Sequence, residues 1–113
     1  MDIPRRRGVY VIRYREFVYV GSSVNCDGRW EDHQRHLRKG THHCRRLQQL
    51  ADRVGVEALH FEVILDVEKR LGVPALRAYE QRHIIQEAAD RGRERLLNST
   101  LDVNYRPSRR RRP

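Results

Sequence analysis

The 113-residue chain is poor in cysteine, in lysine and in long apolar runs. No apolar stretch approaches the roughly 20 residues that a membrane span requires, so a membrane protein is not expected. No apolar segment of signal-peptide length follows the N-terminal arginines either. Two cysteines, Cys26 and Cys44, make neither a disulfide framework nor a CxxC knuckle; reduced thiols and a cytoplasmic location are the expectation. Lysine occurs only at Lys39 and Lys69, so arginine supplies nearly all of the net charge of +9. Most of that excess sits at the ends. Arg5, Arg6 and Arg7 open the chain, and Arg106 with Arg109, Arg110, Arg111 and Arg112 close it, whereas residues 8–105 hold 16 basic and 14 acidic side chains. A polyanion is the implied partner, nucleic acid most simply, although polybasic ends also bind anionic lipid.

The length accommodates one domain. Residues 1–7 read as a basic arm, 8–104 as the folded body and 105–113 as a basic, disordered tail. Two β-rich runs, residues 9–12 and 17–20, flank a polar stretch and read as a hairpin. With a two-residue loop at Arg15 and Glu16, alternation places Tyr10, Ile12, Tyr14, Phe17 and Tyr19 on one face. A helix is predicted from the turn at residues 21–25 to Lys39, stopped by Gly40. Thr41 is the expected cap of a second helix carrying Cys44, Leu47, Ala51 and Val54 and ending at Gly55. Leu59, Phe61, Val63 and Leu65 predict a third strand with a single apolar face. Pro74 suits the first turn of a last helix that runs to about Asp90 and breaks at Gly92, with a short segment near Leu96 beyond it. The order β-β-α-α-β-α implies an α+β fold, a small three-stranded antiparallel sheet flanked by helices.

Several polar residues sit in positions that demand an explanation. Glu80 has Leu76 and Ile84 as its helical neighbours four residues away. A carboxylate in an apolar stripe costs several kcal/mol unless it is paired. Two partners answer that need: a hard divalent cation such as Mg²⁺, or one of the many arginines. Arg29, His33 and His36 share one face of the first helix, beside the core rather than within it. Such a face is either solvated or a phosphate-binding surface, and a guanidinium holds two phosphate oxygens at once. Tyr10 and Tyr19 either pack as strand aromatics or act as phenols, whose reference pKa near 10 requires a neighbouring cation or donor before they serve as bases. Cys26, His33, His42, His43 and Cys44 lack the paired spacing of a zinc site, so no zinc is expected.

Gly8-Val9-Tyr10 and Tyr19-Val20-Gly21, followed by Arg29, His33, His42, Glu80 and Asn98 in that order, resemble the GIY-YIG nuclease family, with Val in place of both Ile. The resemblance spans about residues 8–100. It implies a GIY-YIG endonuclease fold and Mg²⁺-dependent (or Mn²⁺-dependent) hydrolysis of DNA phosphodiesters to 5′-phosphate and 3′-hydroxyl ends. It places the water-activating base on Tyr10, a supporting phenol on Tyr19 in a hydrogen-bonded chain with His33, transition-state stabilisation on Arg29 and the metal on Glu80. His42 and Asn98 become substrate-side or supporting residues. Residues 25–37 lean toward the phage and homing-type branch, which implies a bacterial or phage-infected cell. Monomer and DNA-bound dimer both remain open. The alternative function is an inactive nuclease-like module that only binds nucleic acid; the joint presence of Tyr10, Arg29 and Glu80 favours the enzyme.

On this reading Arg29 does chemistry, while Arg5, Arg6, Arg7, Arg109, Arg110, Arg111 and Arg112 hold phosphates without reading bases. Deleting the last five residues is expected to weaken DNA binding and flatten its salt dependence while sparing turnover at saturating DNA. Titrations across a salt series check this, and a collapse of turnover would place the tail in the active site.

Overall fold

The first two strands owe their register to a tight turn. In the computed structural model, which describes residues 6–98, β1 (Gly8–Tyr14) and β2 (Phe17–Ser23) are joined by the two residues Arg15 and Glu16. Arg15 takes a positive φ of 54°, as short hairpin loops require of a central residue. Tyr14 therefore faces Phe17, Ile12 faces Tyr19 and Tyr10 faces Gly21. The two faces separate as expected: Tyr10, Ile12, Tyr14, Phe17 and Tyr19 pack in one cluster. Val9, Val11, Val18 and Val20 pack in a second. Residues 1–5 and 99–113, including Arg5, Arg106 and Arg109–Arg112 of the two basic ends, lie outside the described residues.

The third strand, β3 (His60–Asp66), pairs antiparallel with the other edge of β1, giving the order β2-β1-β3. It does not keep a single apolar face. The pairing shifts between Val9 and Tyr10, so that Val63 lies opposite Tyr10 but Leu65 lies opposite Val9. Ile64 is the extra residue of a bulge. Phe61 and Val63 join the first cluster, while Ile64 and Leu65 turn to the second. Strict alternation missed this because a bulge reverses its phase. Gly8 is the residue that lets the strands close beyond the bulge, since a Cβ there would stand 1.8 Å from the Leu65 carbonyl oxygen.

Helix α1 (Cys26–Lys39) is capped by the Asn25 side chain, which accepts from the Gly28 N–H at 3.1 Å, and ends at Gly40 in the left-handed region. Helix α2 (Arg45–Val54) is not capped by Thr41. Cys44 occupies the N-cap position without a side-chain capping bond, and the Thr41 hydroxyl turns back to the His36 carbonyl at 3.5 Å. The short link that results buries His42 and Cys44. Helix α3 (Gly72–Arg91) has Pro74 in its first turn, where the missing N–H has no intrahelical partner to lose.

The sheet is covered on both sides. Leu37 from α1 and Leu47, Leu50 and Ala51 from α2 close over the tyrosine face. Ile84 of α3, with Tyr79 and Ala88 beside it, closes over the valine face together with Leu96. Coverage of both faces explains why β1 is apolar at nearly every position. The segment after α3 adds a short parallel bridge to the free edge of β2: Val18 donates to the Arg95 carbonyl at 3.0 Å and Leu97 donates to the Val18 carbonyl at 2.7 Å. The Arg46 guanidinium clamps this segment by donating to the carbonyls of Glu94 and Leu96. Among the described residues, no helix is long and apolar enough to cross a membrane.

Gly8→Ala is expected to force the β1–β3 pairing apart at the bulge and to cost about 1–3 kcal/mol, the usual scale of overpacking. Chemical denaturation of the two chains measures it, and equal stability would mean that the Leu65 carbonyl has room to move.

Candidate active site

Side chains from three elements meet where β1 begins and β2 ends. Tyr10 lies fully buried on the central strand, its ring laid across Gly21 of β2. Gly21 admits no side chain, because a Cβ would stand 2.4 Å from the Tyr10 hydroxyl oxygen. The two tripeptides are thus halves of one contact: the tyrosine of the first rests on the glycine of the second. Phe61 of β3 packs against the Tyr10 ring, with centroids 5.2 Å apart, and is itself stacked on Trp30 of α1 at 5.1 Å. The phenol is held from both sides.

The Tyr10 hydroxyl and His33 Nε2 are 2.6 Å apart, and His33 Nδ1 and His42 Nε2 are again 2.6 Å apart. His42 Nδ1 in turn accepts from the Cys44 backbone N–H at 2.9 Å. The Gln48 side chain holds the His42 backbone N–H at 3.0 Å and donates to the Leu37 carbonyl, fastening the link to α1. His33 is 1 % exposed, so it lies within the core and not beside it as its helical face suggested. Hydrogen bonds at both ring nitrogens make that burial tolerable. His36, on the same helical face, is exposed. The hydrogen-bonded partner of His33 is Tyr10; Tyr19 meets the His33 ring edge-on at 5.5 Å, and its hydroxyl lies 3.4 Å from His43 Nε2.

Burial drives the titration of the whole cluster. It lowers His33 to about 2 and His42 to about 4, assisted by the Arg29 charge and the neighbouring imidazoles. It raises Tyr10 well above the usual phenol value and raises Tyr19 as well; the Arg29 cation opposes both shifts. Both histidines are therefore neutral and both tyrosines protonated at neutral pH. Arg29 is half-buried and makes no hydrogen bond or ion pair among the described residues, yet its charge acts on Tyr10, Tyr19, His33, His42, His43 and Glu80.

Glu80 approaches from α3, between the buried Leu76 and Ile84. Among the described residues it forms no ion pair; the Ser22 hydroxyl donates to its Oε1 at 2.5 Å. Burial raises its pKa above the ordinary carboxylate value, against the Ser22 bond and the charges of Arg77 and Arg29. With Ser22, Ser23 and Arg77 it lines a recess of about 250 Å³ open to solvent. Hard oxygen donors, a carboxylate in want of a cation and room for water fit a single divalent metal held mostly by water and substrate. Among the described residues no three His, Cys, Asp or Glu side chains converge as a metal-ligand group.

The remaining sequence-derived residues sit elsewhere. Asn98 is buried, and its amide serves the Val20 backbone, accepting at 2.9 Å and donating at 2.8 Å. Arg6 is exposed and paired with Asp27 at 3.3 Å. Arg7 donates to the carbonyls of Val67 and Glu68 at 2.9 and 2.8 Å. Sequence reasoning passed over Ser22, Arg77 and Gln48. Ser22 lay unweighed in the turn after the second tripeptide; Gln48, polar on the apolar face of α2, was the one legible sign.

The family model for the GIY-YIG catalytic domain matches residues 6–90. The chain belongs to the GIY-YIG family. Two solved structures share the architecture. One is described as the catalytic domain of homing endonuclease I-TevI, with a TM-score of 0.73 at 21 % identity, covering 84 % of this chain and 99 % of that one. The other is a mutant of the catalytic domain of intron endonuclease I-TevI, with a TM-score of 0.64 at 25 % identity, covering 77 % of this chain and 90 % of that one. No curated protein matches. The GIY-YIG assignment and the α+β fold with its three-stranded antiparallel sheet agree with the reading of the two tripeptides.

The neutral histidines make stability depend on pH. The folded values of His33 and His42 lie below the 6.5 of a free imidazole. Between those values and 6.5 the unfolded chain binds protons that the folded GIY-YIG domain refuses, so stability rises with pH through this window and falls on acidification. Glu80, shifted upward, has the opposite sign, one group against three, because burial lowers His43 as well. Calorimetry from pH ~7 to ~5 is expected to show a falling midpoint and uptake of about two protons on unfolding. An unchanged midpoint would mean that the folded state accepts these protons.

Proposed function

We propose that this GIY-YIG domain is a metal-dependent DNA endonuclease that hydrolyses phosphodiester bonds. The observation that carries the proposal is the electrostatic convergence at the end of the sheet. A buried phenol, and an arginine and a carboxylate that form no ion pair among the described residues, act on one another across three elements. The ring of Tyr10 serves the core, but neither its hydroxyl nor the charges of Arg29 and Glu80 are needed to fill it. Each has an assignment in phosphate-ester hydrolysis.

Tyr10, once its own proton has left to solvent or to the substrate side, takes the proton of the attacking water as the phenolate. Its resting state is the protonated phenol, so the positive charge of Arg29 must favour the phenolate as the reaction proceeds. Tyr19, on the same sheet face, keeps a second phenol beside the first. Arg29 grips non-bridging phosphate oxygens and stabilises the negative charge that builds in the transition state. Glu80, with the Ser22 hydroxyl beside it, would hold one Mg²⁺ or Mn²⁺, which when bound supplies Lewis-acid stabilisation of the phosphate and of the departing oxygen. His33 and His42 orient Tyr10, and Asn98 holds β2 in place. The basic arm and tail supply the salt-dependent affinity for DNA.

Incubation of supercoiled plasmid with Mg²⁺ is expected to give nicked or linear product, and EDTA to stop it. Glu80→Ala is expected to abolish metal-dependent cleavage while leaving circular dichroism and thermal midpoint close to those of the parent, because the side chain opens to a solvated recess. Undiminished cleavage by that variant would refute the metal assignment. Binding without cleavage across several sequences and metals would instead identify a nucleic-acid-binding module.

A further inference from the structure

We infer that the two buried histidines form a one-way hydrogen-bond clamp that donates to the Tyr10 oxygen, so that His42 is a positioning residue and the Tyr10 proton leaves on the side away from His33. The inference rests on the reading of Tyr10 as the base only for its kinetic consequence; the proton positions follow from the hydrogen-bond geometry once both buried rings are neutral.

The direction of the chain is set at its far end. The Cys44 backbone N–H points at His42 Nδ1, 2.9 Å away. A backbone amide only donates there, so His42 Nδ1 carries a lone pair. A neutral imidazole then keeps its proton on Nε2, which lies 2.6 Å from His33 Nδ1. That nitrogen must accept, and the same rule moves the proton of His33 to its Nε2. His33 Nε2–H, 2.6 Å from the Tyr10 hydroxyl oxygen, is therefore a donor to it. Burial keeps both rings neutral, which is the condition for every step.

Two consequences follow. First, the chain cannot carry the Tyr10 proton inward. His33 Nε2 is already protonated, and the last link is an amide that takes up no proton. A triad-like role in which histidine deprotonates the tyrosine is excluded. The proton must go to solvent or to the substrate side of the ring. Secondly, the clamp favours the phenolate, because a hydrogen bond donated to an oxygen strengthens when that oxygen becomes charged. The groups acting on Tyr10 besides His33 are Arg29 of α1, which favours the phenolate, and Tyr19 of β2, Glu80 of α3 and Cys26 of α1, which oppose it. His42 acts on this balance without touching the phenol, by denying His33 the other tautomer.

¹⁵N-detected NMR of the histidine rings in the whole protein at neutral pH reads the proton positions directly. Both His33 and His42 are expected as Nε2–H tautomers with an unprotonated Nδ1; a protonated Nδ1 on His33 overturns the clamp, whether or not the protein cleaves DNA. Two variants test its use. His42→Gln keeps a side-chain N–H donor toward His33 and is expected to retain both the His33 tautomer and the pH dependence of plasmid cleavage. His42→Leu removes the donor and is expected to mix the His33 tautomers and to move the rising limb of the rate profile, which reports ionisation of Tyr10, up by about one pH unit, the scale of one hydrogen bond. Identical profiles for folded Gln and Leu variants would show that the clamp does not serve the tyrosine. If no metal supports cleavage, the endonuclease reading fails while the NMR result still decides the clamp.

Discussion

A tyrosine ring lying on a glycine across a strand pair is the contact on which the site depends. Tyr10 can occupy that place only if Gly21 is its partner, and the two-residue turn sets that register. A slip of one residue would send the tyrosine to the opposite face, away from α1 and its histidine. The loop meets its conformational demand by holding Arg15 at a positive φ. One local turn thus places the phenol, and everything recruited to it is referred to the same register. On the other edge of β1, the bulge at Ile64 and the missing side chain at Gly8 let β3 join without disturbing that register.

Burial and charge are balanced around this contact in an unusual way for so basic a protein. The described site has one arginine at its centre, and its histidines are kept uncharged by desolvation. A charged imidazole beside Arg29 would have repelled it; a neutral one hydrogen-bonds and leaves the cation without an ion pair among the described residues. Glu80 complements the arrangement from the opposite face of the sheet. Its carboxylate is desolvated enough to favour a partner, and it holds the Ser22 hydroxyl while the charges of Arg77 and Arg29 act on it without an ion pair among the described residues. Preorganised groups of this kind are effective because the fold has already met the cost of holding them.

The hairpin, the helix order and the α+β class were legible because each rests on local rules: alternation with period two, caps at Asn25 and Gly40, and Pro74 in a first turn. The third strand was misread in its second half because a bulge leaves no mark in a hydrophobic pattern. Thr41 was misplaced as a cap because a favourable residue type does not reveal whether the chain turns before it or after it. Among site residues, Tyr10, Arg29, His33 and Glu80 were legible as an ordered set. The serine that holds Glu80, the glutamine that fastens the His42 link and the backbone role of the Asn98 amide were not, since each depends on which polar atom is left unsatisfied after packing.

By itself the sequence determined the family, the hairpin and the inventory of chemically able side chains, because these follow from composition, spacing and short-range sterics. Only the tertiary structure decided how those groups are wired. It buried His33 that had looked half-solvated, joined it to Tyr10 instead of Tyr19, and aimed the Cys44 N–H at His42. The physical reason is that protonation state and hydrogen-bond direction are properties of desolvated neighbours. Those neighbours are brought together from positions 10, 33, 42 and 44 only when the sheet and its helices close.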